Sequence, residues 1–367
     1  MLRILHTEWS DGWGGQERRV INEIAGMIQR GHHVVLATRP QCRIAKEAAA
    51  RDIPVIFLDM KSKFDLGSIL KLARYLRTEQ IQIVNTHSGI DSWQGALAAK
   101  LAKVPVLVRT RHLNLPLKRS WHNFVHYMAD QIISCGDSMK QFLIESCHFP
   151  AAQITSIPTG VDFTTFKPKL DRSAVRKALG IPEDAFVVVM VGIIRGVKRH
   201  TIALEAFQQI LQGLPNARLV LAGEGPMRPD MERLAHALGI TEQVLFLGHR
   251  EDIPDLMAAS DVLLLTSRSE GVPQAVTQAL GLGIPVVATQ VGGVPELVQH
   301  ETTGLLVPAE DSPAAAAALM RIAQNHAWAQ QLGAQGRRHI LAKFSLDAML
   351  TQTENLFNRL LAAKPGK

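Results

Sequence analysis

The stretch SRSEGVPQAVTQALGLGIPVVAT, residues 267–289, holds a turn, a helix and a strand in order. Ser267–Gly271 is a polar turn, Pro273 suits the first turn of a helix, and Gly283 suits its end. Ile284–Ala288 is a short β-branched run, and Val262–Leu265 ahead of the turn is another apolar run. Runs of this kind suit strands covered on both faces. Strand, helix and strand in this order predict a βαβ unit with parallel strands. Glu270 then lies at the carboxyl end of a strand, beside helix N–H groups that lack intrahelical partners. Such groups suit phosphate oxygens or sugar hydroxyls, and an ionised carboxylate accepts hydrogen bonds from hydroxyls. Gln278 follows Gln274 by four residues. Its amide both donates and accepts, so it suits a diol less strongly than a second carboxylate would.

The same alternation runs outward in both directions. Further strand runs are Leu2–Leu5, Val34–Ala37, Val55–Leu58, Ile81–Val84, Val106–Arg109, Gln131–Ser134 and Ile154–Ile157, then Val187–Val191, Arg218–Ala222 and Val244–Leu247. Between the first two, Val20, Ile21, Ile24, Met27 and Ile28 keep helical spacing, and Gly31 stands where that helix would stop. The segment IPTGVDFTTFKPKL (157–170) breaks the rhythm with Pro, Gly and Asp and reads as an interdomain connection. Beyond Ser312 the chain reads as helical, with Ala314–Ala318 suited to close helix packing. The expected fold class is α/β, with two similar doubly wound domains facing each other across a cleft. Their expected extents are 1–165 and 166–345, with a helix in 346–367 packing back on the first. Open sheets of this kind bind ligands at the carboxyl ends of their strands.

A chain of 367 residues exceeds one comfortable core. Cys42, Cys135 and Cys147 show no paired spacing, which points to a reducing, cytoplasmic compartment. The N-terminal apolar run is too short for a signal peptide, and no stretch approaches the length of a membrane span, so any membrane role is expected to be peripheral. The net charge of +7 is uneven. Residues 1–168 hold 21 basic against 14 acidic side chains, and residues 169–367 hold 19 against 19. A basic half can attract anionic lipid, acidic glycan or nucleic acid, or can be a solvated face with no partner. The positive charges are interspersed with apolar positions and form no nucleic-acid module, so no nucleic-acid partner is expected.

Four further segments offer polar groups at strand ends. SDGWGGQERRV (10–20) places Gly12, Gly14 and Gly15 before a helix N-terminus, where a phosphate could approach or where the turn is merely tight. VMVGIIRGVKRH (189–200) sets Arg195 and Lys198 three apart, able to meet one anionic group or to stand in solvent. VRTRHLN (108–114) brings Arg109, Arg111 and His112 to a strand end, and NTHSGIDSW (85–93) brings His87, Ser88 and Asp91 to another. In LPLKRSWHNFVHYM (115–128), Trp121, Phe124, Val125 and Met128 keep helical spacing after Lys118 and Arg119. That stripe either packs on its own sheet or rests on an anionic leaflet. No D-x-D occurs and no His, Cys or Asp cluster has metal-ligand spacing, so no metal or other cofactor is expected.

Read together, GGQERRVINEIAGMIQRGHHV, VRTRH, IPTGVDFTTFKP, VGIIRGVKRH, LVLAGEGPMR, the opening stretch and the closing AKFSLDAM resemble the retaining glycosyltransferases of family 4. The resemblance spans nearly the whole chain and implies the GT-B fold. It also implies a nucleoside-diphosphate sugar donor, and a glycan or lipid-linked acceptor in lipopolysaccharide or other envelope polysaccharide synthesis. By resemblance, Gly14 and Gly15 would meet the donor diphosphate, and Arg195 and Lys198 would neutralise it. Glu270 would hold hydroxyls of the sugar, while Gly271, Val272 and Pro273 would line the sugar and phosphate. Glu224 would be nucleotide-side or structural, Gln278 would meet the ribose, and His112 would lie near the reacting sugar. His87, Ser88, Asp91 and Arg111 would be acceptor-side. Two departures stand out: Gln278 replaces a second glutamate, and Ile193 occupies the position of an arginine, leaving Arg195 as its substitute. A nucleotide-sugar epimerase, another GT-B enzyme and a non-catalytic nucleotide-sugar binder are the alternatives.

Overall fold

The structure, a computed structural model, describes residues 1–113, 116, 117 and 121–364. Two compact units divide the chain, one formed by residues 1–160 with 346–367 and the other by 161–345. The division falls after Gly160 and not after residue 165. Phe163 and Phe166 pack with the second unit's core, and the Val161 N–H donates to the Phe344 carbonyl at 2.9 Å.

The first unit is built on seven strands: β1 (Arg3–Glu8), β2 (His33–Thr38), β3 (Val55–Phe57), β4 (Ile83–Thr86), β5 (Val106–Arg111), β6 (Gln131–Ser134) and β7 (Ile154–Ser156). They run parallel in the order β3-β2-β1-β4-β5-β6-β7. The second unit repeats the plan with β8 (Val187–Val191), β9 (Arg218–Ala222), β10 (Val244–Gly248), β11 (Val262–Leu265), β12 (Val286–Thr289) and β13 (Leu305–Val307). Their order is β10-β9-β8-β11-β12-β13, again parallel. β13, three residues long, was not anticipated. Each sheet reverses its winding once, between β1 and β4 and between β8 and β11. Connections leave in opposite directions at that point, and the carboxyl ends of the two strands are left uncovered.

Burial explains the strand composition. β4, β5 and β11 are buried along their whole lengths, so each accepts apolar side chains on both faces. In the first unit Ile4, Ile21, Ile24, Met27 and Phe357 pack on one side of the sheet, and Leu5, Leu72 and Trp93 on the other. The helix Leu346–Ala362 belongs to this core. Its Leu350 fills the space left by the missing side chain of Gly26 in the helix Gly15–Gln29. Arg30 fixes the pairing with bonds to Asp347 at 2.6 Å and Glu354 at 3.0 Å. In the second unit the Ala-rich helix Ser312–Gln324 packs closely on the helix His200–Ile210.

The segment Trp121–Tyr127 forms a 3-10 helix, not the α-helix that its apolar spacing predicts. Val125 is buried, and Phe124 meets Trp93 edge-on with centroids 5.2 Å apart. With Met128 they join the first unit's core, the self-packing alternative. Lys118, Arg119 and the side chain of Trp121 lie outside the described residues. No helix among the described residues is long and apolar enough to cross a membrane.

Phe357 is wholly buried in the first unit's core although it lies near the chain's end. Phe357→Ala is expected to lower stability by about 3–5 kcal/mol, the usual cost of truncating a buried phenylalanine. A urea midpoint unchanged by the substitution would show that the last helix is dispensable to this core.

Candidate functional site

In the second unit the groups of interest gather at the winding reversal. After β8 the chain forms a single 3-10 turn, Gly196–Lys198, and Arg199 takes a left-handed conformation (φ 52°). The Thr266 hydroxyl, just past β11, pins this turn by donating to the carbonyls of Lys198 (3.1 Å) and Arg199 (2.9 Å). Lys198 Nζ donates to Glu270 Oε1 at 2.7 Å, and Ser267 Oγ donates to the same oxygen at 2.5 Å. Oε2 of Glu270 receives no hydrogen bond among the described residues. The pair is mostly buried, with side-chain exposures of 16% and 11%. The burial of this carboxylate is offset by the ammonium paired with it.

Backbone packing sets the height of this turn. Gly292 (φ 51°) lies against the Glu270 carbonyl, and Gly293 against that of Gly271, so closely that a Cβ at either would overlap the oxygen. The helix Gln274–Gly281 then starts with Pro273 at the cap position, one residue earlier than the first turn expected of it. Pro273 offers no side-chain cap, so the first N–H groups of this helix have no side-chain partner. Gln278 is half-buried on the same helix. On the other flank, Gly223 and Gly225 press against the carbonyls of Gly192 and Ile194, closing the Glu224 turn onto the Arg195 turn. Glu224 is ion-paired with Arg228, which also binds Glu232 at 2.8 Å. Arg195 is exposed, and its guanidinium makes no ion pair among the described residues. A small recess lined by Gly196, His200, Met227 and Met231 opens beside it.

The first unit's reversal carries the glycine turn. Gly14, extended, caps the helix Gly15–Gln29. Glu17 reaches back to accept its N–H at 2.7 Å. Gly15 has open space where a Cβ would stand, whereas Gly12 and Gly14 lie against Glu17. Beneath the turn sits Glu8, wholly buried at the end of β1. Its Oε1 accepts the N–H of Trp9 (2.9 Å) and of Ser10 (2.8 Å), and its Oε2 the Gln16 amide (2.7 Å). Burial pushes the Glu8 carboxyl up to about 7, and the nearby Asp91 charge adds to the rise. Asp91 is itself buried and accepts from Thr7 Oγ1 (2.8 Å), His87 N (3.0 Å) and Ser88 Oγ (2.5 Å).

The residues expected on the acceptor side differ in how far the fold encloses them. Asp91 and His87 do not face outward, because the fold encloses both and engages their polar atoms. Ser88 is half-buried, as is His112, which follows β5 directly. Arg111 is buried, and desolvation lowers its pKa. Sequence reasoning missed His6, Glu8, Glu23 and Ser267. The signal for Glu8 was legible: an acid ending an apolar strand, two residues before a glycine-rich turn. Among the described residues no group of three His, Cys, Asp or Glu could hold a metal ion.

Comparisons with known proteins agree with this architecture. Residues 171–339 match the family described as Glycosyl transferases group 1, and residues 13–165 match Glycosyltransferase Family 4. A D-inositol 3-phosphate glycosyltransferase of Mycolicibacterium paratuberculosis is 32% identical, covering 86% of this chain and 81% of its own. The UDP-Gal:alpha-D-GlcNAc-diphosphoundecaprenol alpha-1,3-galactosyltransferase of Escherichia coli is 29% identical over 74% of this chain and 73% of its own. Among solved structures, an Anabaena protein in complex with UDP superposes with a TM-score of 0.87 at 22% identity, over 98% of this chain and all of that one.

The Glu8 geometry carries a pH consequence. In the unfolded chain the group titrates near 4.5, and in the folded protein near 7. Between those values the folded state holds a proton that the unfolded chain has released, so stability falls as pH rises from about 4.5 to about 7 and is level above. Buried His6 and His126, both held near 3, impose the opposite slope below 6.5, so the readout is the difference between variant and parent. Glu8→Gln should remove a contribution of up to about 3 kcal/mol across the window, measured as urea midpoints from pH 4.5 to 8. Parallel curves for the two proteins would refute the assignment.

Proposed function

This chain belongs to the group 1 and family 4 glycosyltransferases, and from that premise we propose how it works. It transfers a sugar from a nucleoside diphosphate to a hydroxyl of a glycan or lipid-linked acceptor, retaining the anomeric configuration and using no metal. The observation that carries the reading is the Lys198–Glu270–Ser267 cluster at the carboxyl ends of β8 and β11, beside an uncapped helix N-terminus. Glu270 Oε2 is an unengaged acceptor suited to sugar hydroxyls, while Lys198, Arg195 and the N–H groups near Gly271 to Gln274 suit a diphosphate. In the first unit, Gly15 and half-buried His112 are the candidate groups for the donor, and Ser88 and Arg111 for the acceptor side.

Chemically, the bond from the anomeric carbon to the diphosphate loosens first, giving an oxocarbenium-like centre and a growing negative charge on the departing phosphate. Cations near that charge lower the barrier, most effectively where they are already held in place, as Lys198 is by Glu270. Two such groups at about 3 kcal/mol each correspond to roughly 10⁴-fold in rate. Glu270 positions the sugar and does not attack it. Glu224 supports the turn through Arg228, and Gln278 takes the ribose position with a neutral amide. UDP-sugars are the first donors to test, given the Anabaena protein in complex with UDP and the name of the Escherichia coli relative. That name, with its diphosphoundecaprenol-linked sugar, also favours a lipid-linked acceptor; the setting proposed for it is envelope polysaccharide synthesis on the cytoplasmic side of a membrane.

A membrane-facing surface has its own support, at a place other than the 115–128 segment. On the first unit Phe64 and Leu66 are 62% and 68% exposed, and Leu70 lies one helical turn beyond Leu66 on the helix Leu66–Thr78. Lys61, Lys63, Lys71 and Arg74 are exposed around them. An exposed apolar strip with cations close in sequence suits an anionic lipid surface.

With UDP-sugars and a lipid-linked acceptor, Glu270→Ala should lower kcat/KM by more than about 100-fold while circular dichroism stays unchanged. Chelation with EDTA should leave the parent rate within about twofold, against the several kcal/mol a catalytic metal supplies. Near-normal transfer by Glu270→Ala would sink the assignment, and collapse of the rate in EDTA would sink its metal-free part. For the surface, flotation with phosphatidylglycerol vesicles at low salt should capture the parent and not the Leu66→Ser/Leu70→Ser variant. A parent that stays at the bottom of the gradient would remove that reading.

A further inference from the structure

The transfer chemistry above leaves His6 and His87 without a part, yet they line up with His112 in a single file. His6 Nδ1 lies 2.9 Å from His87 Nε2, and His87 Nδ1 lies 3.1 Å from His112 Nε2. The first two rings meet edge to edge, with centroids 5.2 Å apart and planes 11° from parallel. The file ends at Glu23, whose Oε1 is 4.0 Å from His6 Nε2, and at Cys135, whose Sγ is 3.5 Å from His112 Nδ1. We propose that His6 and His87 are positioning residues that hold His112 as its Nε2–H tautomer, with Glu23 setting the direction of the whole file. The proposal deepens the glycosyl-transfer reading and rests on it only for the effect on rate.

A neutral imidazole has one N–H, so it donates through one nitrogen and accepts through the other. All three rings are neutral near pH 7. Burial holds His6 near 3 and His87 and His112 well below the ordinary imidazole value, and nearby cations such as Arg19 push the same way. Because Nδ1 meets Nε2 at both steps, the choice is collective. Either every ring is Nε2–H and the file points toward Glu23, or every ring is Nδ1–H and it points toward Cys135.

The two ends decide between them. A thiol is a weak donor and a weak acceptor, and Cys135 has a second partner in the Arg111 carbonyl at 3.0 Å. A buried carboxylate is a far stronger acceptor, and its lone pairs repel an unprotonated ring nitrogen. His6 Nε2 has no hydrogen bond of its own and faces that carboxylate. Burial raises the Glu23 carboxyl. Arg19 Nε lies 3.6 Å from Oε2 and the Asn85 amide donates to Oε1 at 3.4 Å, so both oxygens of that carboxyl face donors and its place in the file is that of an acceptor. The Nε2–H file therefore wins. In that tautomer His112 Nδ1 is an acceptor facing Cys135 Sγ, and the ring is held in one orientation beside the reacting sugar.

The test is spectroscopic and needs no substrate. In uniformly ¹⁵N-labelled protein, two-bond ¹H–¹⁵N correlation of the imidazoles, with His112 assigned from a His112→Gln spectrum, should show Nε2 protonated and Nδ1 bare. In His6→Phe, which keeps the bulk and removes the nitrogens, the His112 signal should move to a mixture of tautomers. Its kcat should fall about tenfold with donor KM nearly unchanged, as when an orienting partner is lost, and His6→Gln should recover most of the loss. A wild-type His112 carrying its proton on Nδ1 would overturn the proposal, and that measurement stands even if His6→Phe fails to fold. A tautomer unmoved by His6→Phe would overturn it too, whether or not the rate drops. If no nucleotide-sugar is turned over, the transfer reading fails while the spectrum still decides the tautomer.

Discussion

A parallel sheet that winds first one way and then the other must leave the carboxyl ends of two adjacent strands uncovered, because the connections that would roof them leave in opposite directions. Both units of this protein impose that constraint once, at β1/β4 and at β8/β11. Most of the candidate groups hang from those four strand ends or from β5 beside them. Glu8 closes β1, and His87, Ser88 and Asp91 follow β4. Lys198 lies beyond β8 and Glu270 beyond β11. Rigid buried strands supply the precision, and short turns supply the polar atoms.

Carboxylates act in two ways at these strand ends. Glu8, Glu17 and Asp91 are turned inward, accepting N–H and O–H groups that would otherwise be stranded, and so they shape turns. Glu270 has one oxygen saturated by Lys198 and Ser267 and the other unengaged, which leaves it able to meet a ligand. The difference is one of hydrogen-bond satisfaction, not residue type. It also makes burial of the Glu270 carboxylate tolerable, because the neighbouring ammonium cancels much of its field. Glycines govern the spacing, since Gly292 and Gly293 let one backbone lie directly against the carbonyls of residues 270 and 271.

Much of this was legible from residue order alone. Apolar runs located twelve of the thirteen strands, because a strand buried on both faces is apolar over most of its length; Leu305–Val307 escaped notice because three residues carry too little pattern. Pro273 was placed one position inside its helix, within the ordinary uncertainty of helix ends. The stripe Phe124, Val125 and Met128 kept helical spacing yet formed a tighter 3-10 turn, packed against Trp93. Here tertiary contact overrode local periodicity.

The linear chain determined the layered α/β architecture, the winding of two similar units, and the assignment of Glu270, Lys198 and His112 to strand ends, since these follow from short-range periodicity and turn chemistry. Only the folded structure decided which polar atoms are engaged. Lys198 and Glu270 are 72 residues apart, and His6 and His87 are 81. Contacts across such separations depend on strand order and register, and no local pattern encodes those. His6, Glu8 and Glu23 were invisible as a group: each looks like an isolated polar residue until β1 and the helix Gly15–Gln29 pack together.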